Sequence, residues 1–171
     1  MLVTASLLLC ACTPPDTPAT KNKSMVEIIP MPLVNGLSGT FAREKLSETV
    51  NVSGKERQIK KSHYYLLIDG TKLEAPMELF EKMFAAADGR KVYSSVFRYE
   101  WSPYDFTVSS SGLKAQVLAT LDYGNEKFIK CAVGEEVLFV KCDEQVGDIV
   151  YLVPDVNKVS VIETARQIRI V

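Results

Sequence analysis

The chain has 171 residues, with 20 Lys and Arg against 21 Asp and Glu, and 47% of it is hydrophobic. A near-neutral balance without a long basic run argues against a nucleic-acid binder or a protein drawn to anionic lipid. One histidine, His63, excludes a multi-histidine metal site and any HExxH pattern, and no stretch reaches the roughly 20 apolar residues of a transmembrane helix.

In chain order the first feature is the apolar stretch Met1 to Leu9, closing on Leu9-Cys10-Ala11-Cys12. This resembles the lipobox of bacterial lipoproteins, in which a leucine stands three places before a cysteine and a small residue directly precedes it. The resemblance implies that residues 1–11 are a signal peptide removed before Cys12. It also implies that lipid on the Cys12 sulfur, with acyl chains such as palmitate, anchors the chain to a membrane. Thr13 stands where the inner-membrane retention signal of enterobacterial lipoproteins carries Asp, which implies the outer membrane, facing the periplasm. Residues 12–25 then form a tether: Pro14, Pro15 and Pro18 among Thr, Asp, Lys and Asn favour a semi-extended spacer. Residues 26–171 remain as a single β-rich globular domain, long enough to bury a core.

Within that domain, Ser62 to Asp69 reads as a strand running into an Asp69-Gly70 turn. One helix is expected from Pro76, which suits a first helical turn, with Phe80, Met83, Phe84 and Ala87 along one face and Asp88-Gly89 ending it. Arg90 to Trp101 alternates, placing Tyr93, Ser95, Phe97, Tyr99 and Trp101 on one face of a strand. Further strands are expected at Gly112 to Tyr123, Glu126 to Val133, Val137 to Cys142 and Ile149 to Val153, with a last one near Arg166 to Val171. The class is mainly β with one helix (α+β), as a small antiparallel barrel or sandwich, an OB-like module among the options.

Cys131 and Cys142 are each other's only partners if Cys10 leaves with the signal and Cys12 carries lipid. In an oxidising envelope they are expected to form a disulfide. A tight turn at Gly134-Glu135 would instead set Cys131 opposite Leu138, some four residues or about 13 Å from Cys142 along the strand. Disulfide and tight turn are alternatives unless the connection is irregular.

Catalytic patterns are not found. There is no Gly-x-Ser-x-Gly elbow, CxxC or glycine-rich phosphate loop, and Glu135-Glu136 and Asp143-Glu144 read as solvated turns. No cofactor or metal is expected. The candidate partner-binding residues are Tyr99, Trp101, Tyr104 and Phe106, clustered around Ser102-Pro103. Such side chains bury large areas at binding hot spots, although the same face could line the core. Two function classes follow. One is a lipid-anchored envelope protein that binds another envelope or secreted protein, including the inhibitor or immunity type. The other is a structural or assembly lipoprotein of an envelope complex. An envelope hydrolase ranks behind both.

Overall fold

In a computed structural model, residues 29–171 are described; Cys10, Cys12 and the tether up to residue 25 lie outside them. The strands, with one helix among them, run β1 (Asn35–Val52), β2 (Lys55–Ile68), β3 (Thr71–Ala75), α1 (Met77–Ala86), β4 (Phe97–Trp101), β5 (Phe106–Ser109), β6 (Leu113–Asp122), β7 (Lys127–Val133), β8 (Glu136–Lys141), β9 (Ile149–Pro154), β10 (Ser160–Glu163) and β11 (Ile168–Arg169). They form two antiparallel sheets, ordered β11-β10-β4-β1-β2-β3 and β5-β9-β6-β7-β8. The expected mainly-β, α+β class is therefore the class of this fold. With two sheets, the strand arrangement exceeds the five-stranded barrel of an OB module.

Period-two burial builds the core. Phe97, Tyr99 and Trp101 of β4 point inward while Arg98 and Glu100 do not. Val150, Leu152 and Pro154 of β9 are buried between exposed Ile149, Tyr151 and Val153. These inner faces meet Leu37, Leu66, Leu113, Ile129, Leu138 and Val161 in one apolar cluster. The side chain of Asn35 closes one flank. It donates through Nδ2 to the Phe139 carbonyl at 2.8 Å and accepts from the Phe139 N–H at 2.9 Å, joining β1 of the first sheet to β8 of the second. Buried at 2% exposure, Asn35 is tolerated because both of those hydrogen bonds are made.

The expected helix is present with a different start. Pro76 is its N-cap, in extended conformation (φ −67°, ψ 152°), rather than its first helical residue. Leu79, Met83 and Ala87 enter the core; Phe80 is half-buried and Phe84 is 45% exposed. The Arg90 to Trp101 strand is shorter than its alternation suggests. Gly89–Tyr93 forms a 3₁₀ turn that buries only Val92, and pairing starts at Phe97.

The unexpected element is the β1–β2 hairpin. Its register runs from Thr40↔Leu67 to Val52↔Lys55, closed by Ser53-Gly54 with φ of 54° and 78°. Two left-handed residues make the type I′ turn that matches strand twist, a conformation glycine adopts without strain. From Arg43 to Ser62 every residue is exposed except the half-buried Val50. The ribbon therefore leaves the body as an arm roughly 30 Å long, at about 3.3 Å per residue.

Candidate functional site

The four candidate residues around Ser102-Pro103 separate. Tyr99, Trp101 and Phe106 belong to the core, at 0%, 1% and 6% exposure, which corrects their reading as a binding face. The cause is strand alternation: Tyr99 and Trp101 lie on the buried face of β4 in the first sheet, and Phe106 is the buried first residue of β5 in the second, so all three rings enter the core shared by the two sheets. Trp101 donates through Nε1 to the Asp155 carbonyl at 3.0 Å and meets Phe106 edge-on at 5.8 Å. Tyr99 donates to the Thr40 carbonyl at 2.9 Å, and burial pushes its hydroxyl far above the ordinary tyrosine range.

Tyr104 alone is exposed, at 52%. It is held at the tip of a turn in which Asp105 accepts from Ser102 N–H at 3.1 Å and from Lys158 Nζ at 3.0 Å. Its ring stands edge-on to Phe128 at 5.7 Å, and its hydroxyl donates to Glu126 at 3.2 Å. With those contacts Tyr104 reads as a lid over Phe128 more than as a free anchor.

The expected disulfide is not formed: Cys131 and Cys142 are both free and buried. The tight turn wins. Gly134 (φ 57°) and Glu135 connect Val133 to Glu136, Cys131 faces Leu138, and Cys142 donates its N–H to Lys127 at 2.9 Å, four residues along the ladder. Burial pushes the Cys131 thiol up to about 12. His63 sits on β2 opposite Glu44, 3.6 Å from Glu74. Among the described residues no three His, Cys, Asp or Glu side chains stand close enough to share a metal ion. Four surface clefts among the described residues hold about 240 to 310 Å³, around the small end of ligand pockets, which start near ~300 Å³.

The surface with the most distinctive build lies at the root of the arm. Phe41 of β1, Tyr64 of β2, Phe80 and Phe84 of α1 and Tyr93 of the 3₁₀ turn form one run of rings. Tyr64 stacks on Phe80 at 4.2 Å with 14° between planes. Phe41 lies 5.8 Å, Tyr93 6.1 Å and Phe84 5.5 Å from Phe80. The Arg43 guanidinium caps the run, 5.4 Å from the Tyr93 ring centroid, a cation–π contact. Burial raises the Tyr93 hydroxyl above its ordinary range, with Arg43 opposing. The inner end of the run is fixed by the core, Phe41 being 2% exposed, while Tyr93 at 36% and Phe84 at 45% face solvent. Rings pinned on one side and open on the other lose little rotamer freedom when covered, as binding anchors require.

Beyond the root the arm has two unlike faces. The Phe41 face continues as Arg43, Lys45, Ser47, Thr49 and Asn51 against Tyr64, Ser62, Lys60, Gln58 and Glu56. The opposite face carries Leu46, Val50, Val52 and Ile59 among Glu44, Glu48, Arg57 and Lys61, with Leu46, Ile59 and Val52 between 41% and 46% exposed. Lys61 pairs with Glu48, holding that carboxyl below its usual range, and Lys72 reaches Glu44 at 3.3 Å. Both edges of the arm are open, because β4 pairs with β1 only as far as Gly39 and β3 with β2 only as far as Tyr64.

No protein-family model matches the chain, and no curated protein matches it.

Proposed function

We propose that this is a binding protein of the cell envelope, tethered to the membrane through Cys12, which holds a protein partner with its β-arm and the aromatic surface at the arm's root. The single observation that carries the reading is the arm. Ordering a residue costs about 1–2 kcal/mol of backbone entropy, and a lone two-stranded ribbon is marginal in water. Arg43 to Ser62 gives back almost no burial against the body. Contacts with something outside the chain would supply what the arm lacks. A permanent role in an envelope assembly is the second reading, favoured by the two open edges, along which a partner strand can pair through main-chain bonds.

Site-specific photo-cross-linking in cells tests the reading. A photoreactive residue at Phe84 or Ile59 should give a discrete protein adduct. The same residue at Tyr151 or Val153, exposed on β9 of the other sheet, should give none. Replacing residues 44–62 by a two-residue turn should abolish the Phe84 adduct. Equal adducts at all four positions would overturn the reading. Labelling with a fatty-acid analogue tests the tether: wild type should be marked and Cys12→Ala spared.

A further inference from the structure

The sequence scatters its basic residues, and the hairpin gathers them. Between Arg43 and Lys61 the chain carries Arg43, Lys45, Lys55, Arg57, Lys60 and Lys61 against Glu44, Glu48 and Glu56. Two of those three carboxylates are already engaged, Glu48 by Lys61 and Glu44 by Lys72. The remaining excess is local, since the whole chain has a formal net charge of −1.

On the Phe41 face the register sets Lys45 opposite Ser62, and Lys60 opposite Ser47. Lys45 and Lys60 are thus diagonal neighbours, within about 8 Å on one face of the ribbon. Neither has an ion-pair partner among the described residues. Two like charges held this close repel each other. A fold that needed only to keep open strand edges from aggregating could do so with a shorter ribbon.

Resting on the binding reading above, we infer that the Phe41 face of the arm takes an extended acidic polypeptide segment. Its carboxylates reach Arg43, Lys45 and Lys60, and an apolar side chain of the segment covers Phe84 and Tyr93. Charge complementarity specifies the sign of the partner. The rest of the face specifies its kind. Ser47, Thr49, Gln58 and Ser62 are hydroxyls and an amide, suited to the main-chain and side-chain polar groups of a polypeptide, and the face's one carboxylate, Glu56, stands opposite Asn51 at the turn end, beyond Lys45 and Lys60, leaving three cations against one anion. A docked bilayer would need apolar side chains along the ribbon to enter the acyl boundary, and on this face they occur only at the root.

The test uses the purified full chain in a neutral detergent and three fluorescent probes read by anisotropy. These are a short Glu/Val peptide with one Phe, its Gln-for-Glu counterpart, and a single-stranded oligothymidine. Micelles of the same detergent doped with phosphatidylglycerol serve as competitor. The Glu peptide should bind roughly tenfold or more tightly than the Gln peptide, and weaken as salt rises. The double variant Lys45→Glu/Lys60→Glu should lose that preference with an unchanged melting temperature. Lys114→Glu, on β6 of the other sheet, should keep it. Equal binding of the Gln peptide or the oligonucleotide, displacement by the doped micelles at matched charge, unchanged binding by the double variant, or no binding at all would each overturn the inference. Failure here with the Phe84 adduct still formed rejects only the acidic class. Loss of both rejects the binding reading as well.

Discussion

Substituting Trp101 by alanine tests the boundary between core and surface most directly. The indole is 1% exposed, packs against Tyr99 at 6.2 Å and Phe106 at 5.8 Å, and donates to the Asp155 carbonyl at 3.0 Å. Removing a buried large aromatic side chain costs about 3–5 kcal/mol, and the lost hydrogen bond adds about 1 kcal/mol. At about 2–4 °C per kcal/mol for a chain of this size, the melting temperature of Trp101→Ala should fall by roughly 10–20 °C. Trp101→Phe keeps most of the ring volume and should cost only about 1–2 kcal/mol, mainly the hydrogen bond and residual space. Tyr104→Ala, at a half-exposed turn, should stay within about 1 kcal/mol of wild type. Thermal unfolding followed by circular dichroism, with urea midpoints compared at constant slope, measures all three. Equal destabilisation by Trp101→Ala and Tyr104→Ala would refute the assignment of Trp101 to the core.

The flank closed by Asn35 is expected to be equally sensitive: Asn35→Leu leaves the Phe139 N–H and carbonyl without their 2.9 and 2.8 Å partner, costing about 2–4 kcal/mol. A melting temperature within a degree of wild type would show that the two sheets need no such clamp. In a Cys10→Ser/Cys12→Ser background, unfolding without reductant should release two titratable thiols, with none reactive in the folded protein; a count of zero after unfolding would restore the disulfide. Cys131 also sets an alkaline limit. Its thiol ionises near its ordinary 9.0 when unfolded and only at about 12 when folded, so its stabilisation is complete below pH 9 and is lost as pH rises through that window. Cys131→Ala should flatten the pH dependence of the urea midpoint between pH 9 and 12, and an unchanged slope would refute the cause.

The parts of the fold legible in the sequence are those where one face of a strand is buried. Ile149 to Pro154 alternates because Val150, Leu152 and Pro154 meet the core, and Asp69-Gly70 marks a turn whose φ values of 45° and 74° are type I′. β1 left no such trace. Its outer half, Arg43 to Val52, has no buried face, so no period-two apolar pattern is imposed on it, and Glu, Lys and Ser fill positions that strand propensity disfavours. The one local signal was Ser53-Gly54, a turn dipeptide between Val52 and Lys55. The error at Arg90 to Trp101 has the opposite origin. Alternation there is genuine from Phe97 onward, but Val92 alone anchors the first half, and a 3₁₀ turn buries one residue as well as a strand does. The ring cluster was hidden for a third reason. Phe41, Tyr64, Phe80 and Tyr93 come from four separate segments, and only the hairpin register and the seat of α1 bring them together.

Sequence clustering and spatial clustering of aromatics therefore mean different things in this chain. Five aromatics within Phe97 to Phe106 look like a recognition motif, yet two consecutive short strands need large inward side chains to fill a thin sandwich, and the Ser102–Asp105 turn folds them against one core. The dispersed set at the arm's root sits where the core ends and an unsupported ribbon begins, so its outer rings have solvent on one side and rigid neighbours on the other. Perturbing the core set should change whether the chain folds. Perturbing Phe84, Lys45 or Lys60 should leave folding alone, because Phe84 and Lys45 are exposed, Lys60 stands on the arm, and none of the three belongs to the buried cluster. That separation makes the arm testable: a loss of binding there cannot be credited to unfolding, and a loss of folding at Trp101 cannot be credited to binding.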